Sequence, residues 1–168
     1  CALPICGDRI ALVGRNGCGK SSLLKLLVGQ PIAHTGTLEI GSRLTVSYVP
    51  QDMSFLSGSA DDFAAESEID LTLFKTILRK LDFKRTQFTK DMSEFSMGQK
   101  KKVLLARSLC QRANLYIWDE PLNYIDVISR LQIETLILEY KPTMLFVEHD
   151  EAFVNDIATK VCRISLNQ

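Results

Sequence analysis

The chain has no net charge: 20 lysines and arginines offset 20 aspartates and glutamates among 168 residues. That balance gives no global reason to expect a nucleic acid or an anionic membrane as partner. It also has no CxxC pair. Its five cysteines, Cys1, Cys6, Cys18, Cys110 and Cys162, are odd in number and scattered. This argues against a disulfide framework or a zinc site and for a reducing, cytoplasmic compartment. No apolar run approaches the ~20 residues that span a bilayer. The opening residues lack an initiator Met, a charged n-region and an apolar h-region, so no signal peptide is expected and the sequence reads as part of something longer. There is no internal repeat and no low-complexity linker. What is present is an ordinary globular profile, 46% hydrophobic and 24% charged, at one-domain length.

Short β-type runs alternate with helical stretches, the pattern of an α/β layered fold. Arg9–Val13 predicts a strand, followed by a glycine-rich turn. A helix is expected over Ser21–Val28, with Leu23, Leu26 and Leu27 at helical spacing and a stop at Gly29 and Pro31. Thr37–Ile40 and Thr45–Val49 are β-type, the second ended by Pro50. Residues 52–70 carry six acidic side chains and no Lys or Arg. Leu71, Phe74, Leu78 and Leu81 then mark an amphipathic helix. After Gln99 a lysine-led helix runs to about Cys110, with Val103, Ala106, Leu109 and Cys110 on one face. Leu115–Trp118 and Met144–Val147 are uniformly apolar, as parallel strands covered on both faces are. Val161–Leu166 is a candidate last strand.

Two places carry chemistry. Gly14-Arg15-Asn16-Gly17-Cys18-Gly19-Lys20-Ser21 fits G-x-x-x-x-G-K-[ST] between a predicted strand and a predicted helix, the context that gives this motif its meaning. Its glycines let the backbone close on a polyphosphate, and the helix N-terminus favours the anion. Lys20 can reach the β- and γ-phosphates, and the Ser21 hydroxyl can ligate Mg²⁺. Gly14, Asn16, Gly17, Cys18, Gly19, Lys20, Ser21 and Ser22 are the expected nucleotide contacts. The second place is Asp119-Glu120, after the run Leu115–Trp118. A carboxylate at the end of a buried strand can hold the Mg²⁺ shell beside the phosphate loop, and Glu120 can take a proton from the attacking water. Read alone, Asp119-Glu120-Pro121 is equally good turn composition.

Phe95-Ser96-Met97-Gly98-Gln99 resembles the LSGGQ signature of ABC (ATP-binding cassette) ATPases, with Met97 in place of its first glycine. Gln51 is placed like that family's Q-loop glutamine. Leu122-Asn123-Tyr124-Ile125-Asp126 resembles its D-loop, with Leu122 where Ser or Thr is usual, and His149 resembles its switch histidine. The resemblance covers Gly14 to His149. It implies a P-loop NTPase of the ABC type over residues 1–168, with a helical subdomain at about 52–110, hydrolysing ATP with Mg²⁺. Ser21, Gln51 and Asp119 would serve the Mg²⁺, and Glu120 and His149 the catalysis. Ser96, Gly98 and Gln99 would meet the ATP of a second cassette, and Asp126 would bridge the two. The aromatic residue that stacks on adenine in this family lies upstream of the phosphate loop, before this chain starts.

Within the family, the run from Met97 to Val103, with Trp118 to Asn123 and Phe146 to Asp150, resembles the second cassette of ABC-F antibiotic-resistance proteins of the Lsa/Vga type. That likeness implies a ribosome partner and target protection, with no membrane domain; the alternative is the ATPase subunit of a transporter. The interval from Gln51 to Phe95 leaves no room for the coiled coil of chromosome-structure ATPases. Residues 75–102 carry nine basic side chains against Asp82, Asp91 and Glu94. Such an excess could meet RNA phosphates, though charge alone favours a solvated face balancing the acidic stretch.

Overall fold

The computed structural model describes residues 7–41 and 43–165. In chain order its elements are β1 (Arg9–Val13), α1 (Lys20–Leu27), β2 (Val46–Val49), α2 (Ala60–Glu66), α3 (Leu71–Lys80), α4 (Met97–Cys110), β3 (Leu115–Asp119), α5 (Val127–Tyr140), β4 (Met144–Val147), α6 (Glu151–Ile157) and β5 (Lys160–Arg163). They fall into two compact units. The first takes the chain up to Tyr48, Ala113–Glu120 and everything from Lys141; the second takes Val49–Arg112 and Pro121–Tyr140.

The first unit is built on a five-stranded sheet in the order β2-β3-β4-β1-β5. β4 runs parallel to β3 and β1, and β1 parallel to β5. Strands buried on both faces lose the apolar–polar alternation, and β4 is buried at all four positions. Ile10, Leu12, Leu115, Ile117, Leu145 and Val147 share one cluster with Leu24 of α1. At the alternate positions lie Ala11, Trp118 and Phe146, and Phe146 meets Phe153 of α6 edge to face at 5.6 Å. Register matters most for function. Leu12 and Asp119 are both level with Val147, so β1, β3 and β4 end together. The residues that follow them emerge at the carboxyl edge, where parallel α/β sheets bind ligands.

In the second unit α3 and α4 pack together. Phe74, Leu78, Leu81, Leu104 and Leu105 are fully buried there. Phe83 stands edge-on to Phe88 at 5.2 Å and to Phe95 at 5.4 Å. Side-chain caps start the helices: Ser59 accepts from the Asp62 N–H, Asp70 from Leu73 and Ser96 from Gln99.

Several expectations are corrected. Thr37–Ile40 forms no strand; it is irregular and exposed, because a β-type run with no neighbouring ladder has nothing to pair with. The last strand is Lys160–Arg163, and Leu166 lies outside the described residues. α1 starts one residue early and stops at Leu27, with Gly29 in the left-handed region at φ 81°. On α3, Leu71 is exposed and Ile77 is buried. On α4 the chain is buried without interruption from Lys101 to Ala106, whereas Leu109 and Cys110 are half-buried. Among the described residues, no helix is long and apolar enough to cross a membrane.

Candidate functional site

The loop after β1 is shaped by its glycines. A Cβ on Gly14 would sit 2.6 Å from the Ile164 carbonyl oxygen and 2.8 Å from the Cys18 sulfur, so no side chain fits. Gly17 and Gly19 adopt φ of 78° and 90°, which only glycine takes without strain. Gly19 is also the N-cap of α1 and leaves the backbone N–H groups of its first turn facing the loop. Lys20 is buried, and its Nζ donates to the carbonyls of Gly14 at 2.9 Å and Arg15 at 3.1 Å. The ammonium is thus held inside the ring of the loop. Asn16, Gly17, Gly19 and Ser22 are exposed, while Cys18 is buried beneath them.

Beside this loop lies the end of β3. The Ser21 hydroxyl donates to Asp119 Oδ1 at 3.1 Å, joining residues 98 positions apart. Asp119 is fully buried. Burial, reinforced by the Asp119 charge, pushes the Tyr48 phenol up to about 12. Glu120 has a left-handed backbone at φ 50°, and its N–H donates to the Val147 carbonyl at 2.9 Å. Its Oε1 stands 3.5 Å from His149 Nε2. A cavity of about 510 Å³ is bounded by Gly14, Lys20, Glu148, His149 and Arg163, among others.

The remaining expected residues belong to the second unit. Gln51 is exposed just after Pro50. Ser96 and Gln99 close on each other: the Ser96 hydroxyl accepts from Gln99 N–H at 3.3 Å, and Gln99 Oε1 accepts from Ser96 N–H at 3.0 Å. Gly98 has no room for a Cβ, which would lie 2.5 Å from the Tyr124 carbonyl oxygen. The structure therefore groups Lys20, Ser21, Asp119, Glu120 and His149 at one sheet edge. Ser96, Gly98 and Gln99 gather at the start of α4.

The ABC transporter family profile matches residues 5–123. The chain belongs to the ABC ATPase family, which hydrolyses ATP. This cassette is 35% identical over 162 residues to the ATP-binding protein Uup of Escherichia coli, covering 92% of the chain and 26% of that protein. It is 29% identical over 164 residues to ABC transporter F family member 2 of Arabidopsis thaliana, covering 94% of the chain and 24% of that protein. The chain thus spans about a quarter of the length of these relatives. An archaeal ribosome recycling factor, solved in complex with a ribosomal stalk protein, matches with a TM-score of 0.79 at 27% identity over 95% of the chain and 32% of its own. The ATP-binding subunit of an ABC transporter matches in fold with a TM-score of 0.84 at 19% identity, over 97% of the chain and 77% of its own.

Two features of the cassette lay outside the sequence reading. Glu148 is buried between β4 and His149, and an acidic residue directly after an apolar strand was the available signal. The other is a cluster around Asp126. Lys102 Nζ lies 2.6 Å from its Oδ2, the Ser129 N–H donates to its Oδ1 at 2.9 Å, and the Ser129 hydroxyl is 2.9 Å from its Oδ2. Lys101 is fully buried, its Nζ donating to the Pro50 carbonyl at 3.2 Å. Lys101 and Lys102 are consequently engaged inside the fold, while Lys100 is half-buried.

Proposed function

We propose that this cassette binds Mg-ATP at the carboxyl edge of its sheet, hydrolyses it in a site completed by a second cassette, and drives an ABC-F type protein on and off the ribosome. The observation that carries the proposal is the convergence of Lys20, Ser21, Asp119, Glu120 and His149 where β1, β3 and β4 end. Lys20 would exchange its two loop carbonyls for β- and γ-phosphate oxygens. Glu120 would take the proton of the attacking water, and His149 would contact the γ-phosphate. Gln51 would serve the Mg²⁺ or the attacking water.

The residues present fit Mg²⁺. Ser21 and Asp119 bring two hard oxygen donors within 3.1 Å of each other. No cluster of three or more His, Cys, Asp or Glu stands ready for a metal among the described residues. Mg²⁺ typically takes one or two protein oxygens and completes its shell with phosphates and waters. When bound it neutralises charge on the β- and γ-phosphates.

Ribosome action is supported by the ABC-F relatives and by the fold shared with a ribosome recycling factor. Relatives about four times as long leave room for a second cassette in the same polypeptide. The likeness of the signature run to the Lsa/Vga type supports target protection as the purpose of ribosome binding. Sedimentation of the full-length protein through sucrose, with and without ATP, tests the reading. Glu120→Gln should accumulate on ribosomes in the ATP-loaded state. It should also leave drug-inhibited translation better protected than an unrelated ABC ATPase does. Recovery only with membranes would refute the ribosome role.

A further inference from the structure

β4 is buried throughout, and the chain leaves it through Glu148, itself only 6% exposed. A carboxylate in such a place needs donors to offset its lost hydration. Its Oε1 accepts from the N–H of His149 at 2.7 Å and from that of Asp150 at 3.3 Å. Two successive N–H groups on one carboxylate oxygen fix the peptide planes on both sides of His149. The imidazole then stands with Nε2 3.5 Å from Glu120 Oε1, and Glu148, His149 and Lys20 line the same cavity. α6 has its own cap, since Asp150 accepts from the Phe153 N–H at 2.9 Å. The Glu148 bonds therefore fall on the loop that carries His149 and not on the first turn of α6.

We infer that Glu148 is a positioning residue that holds His149 in its γ-phosphate-facing orientation; the inference rests on the ATPase reading above. Removing the carboxylate leaves two N–H groups without their acceptor, and the loop before α6 relaxes. Displacements of about 1 Å at a reacting centre cost on the order of a hundredfold in rate. Glutamine keeps an oxygen at the same reach and preserves both bonds. Aspartate keeps the charge but is one methylene too short.

The experiment measures nucleotide-analogue binding and ATP turnover in the full-length protein carrying Glu148→Ala, Glu148→Gln, Glu148→Asp, His149→Ala, or Glu148→Ala with His149→Ala. Binding should stay within about twofold in the three single Glu148 variants; the variants lacking His149 lose a γ-phosphate contact and are read by turnover. Turnover should fall by about 10- to 100-fold in Glu148→Ala, fall in Glu148→Asp, and stay within about threefold in Glu148→Gln. The double variant should be no slower than the slower single one, because Glu148 acts through His149. Full turnover in Glu148→Ala, equal losses in Gln and Ala, or multiplying losses in the double variant would overturn the inference. Should Glu148→Ala not fold, the Asp and Gln pair decides by the same criterion. Unchanged turnover in His149→Ala counts against the ATPase reading itself; a slow His149→Ala beside a fast Glu148→Ala counts against the positioning role alone.

Discussion

Glu120 holds a left-handed backbone, φ 50°, that costs a non-glycine residue on the order of 1 kcal/mol. The bond from its N–H to the Val147 carbonyl ties that turn to β4. The turn directs a carboxylate that is only partly exposed toward His149. Glu120→Gln retains the shape and the backbone geometry but accepts no proton. In the full-length protein it should keep ATP bound and lose turnover by about 10²–10⁴-fold, read by phosphate release. A loss under tenfold would assign the base elsewhere. Lys20 acts differently, because its ammonium is bonded to two carbonyls of its own loop. Lys20→Ala should weaken binding of a fluorescent ATP analogue by at least tenfold, as both a phosphate partner and the loop's internal tie disappear. Unchanged affinity would show that the backbone N–H groups suffice.

At the scale of elements, α4 carries two buried cations, Lys101 and Lys102. Partial burial pushes the Asp126 pKa up, but the hydrogen bonds from Lys102 and Ser129 and the Lys102 charge outweigh it and hold the carboxyl well below its usual range. A lowered folded-state pKa means the contribution is complete above about pH 4 and fades as pH falls toward the folded value. Because the Asp126 side chain is 46% exposed and solvent screens the pair, Asp126→Asn should lose only about 0.5–1 kcal/mol at pH 7, by urea midpoint, and a smaller amount at pH 3. An equal gap at both values would assign the loss to packing. The same burial redraws the basic stretch. Lys75 pairs with Asp61 at 2.6 Å, and Lys101 and Lys102 are buried, whereas Arg79, Lys80, Lys84, Arg85 and Lys90 are exposed. Replacing Arg79, Lys80, Lys84 and Arg85 by Gln should leave thermal unfolding unchanged and flatten the salt dependence of ribosome binding, by about 0.9 in log–log slope for each phosphate no longer neutralised. An unaltered slope would leave these cations as solvated side chains. Sequence made some elements plain and hid others. β3 and β4 were legible because both faces are covered and the runs are unbroken. α2 was hidden because its buried positions, Ala60 and Ala64, give no strong apolar signal inside an acidic run. α5 was hidden because apolar residues lie on all sides: Ile128, Leu131 and Leu138 are exposed while Ile133, Leu136 and Ile137 are buried. The phosphate loop, Asp119 and Glu120 were readable from spacing. The engagement of Lys101, Lys102 and Glu148 was not, because burial of a charge depends on residues brought together from far along the chain.

At the scale of the whole molecule, the cassette carries its phosphate loop in one unit and its signature segment in the other. Family resemblance implies that the signature serves the nucleotide of a second cassette. Its local structure suits an anion: Ser96 and Gln99 satisfy each other as a capping box, and the 14-residue α4 presents its positive end there. Met97, 45% exposed in the first turn, stands where that anion would approach. Met97→Glu places a negative charge at this point without disturbing the fold, since a carboxylate in a first helical turn is favourable. It should abolish the signature's service to a partner while leaving the chain's own phosphate loop intact. Lys20→Ala does the reverse. Each variant chain alone should hydrolyse ATP poorly at any concentration. Mixed in equal amounts, they pair by chance into half heterodimers, each with one intact composite site of two. Activity should then recover to about a quarter of the unaltered chain's at the same total concentration. The unaltered chain's turnover per molecule should rise with its concentration, because the site forms only on association. No recovery in the mixture, with Met97→Glu fully active by itself, would mean that each cassette completes its own site.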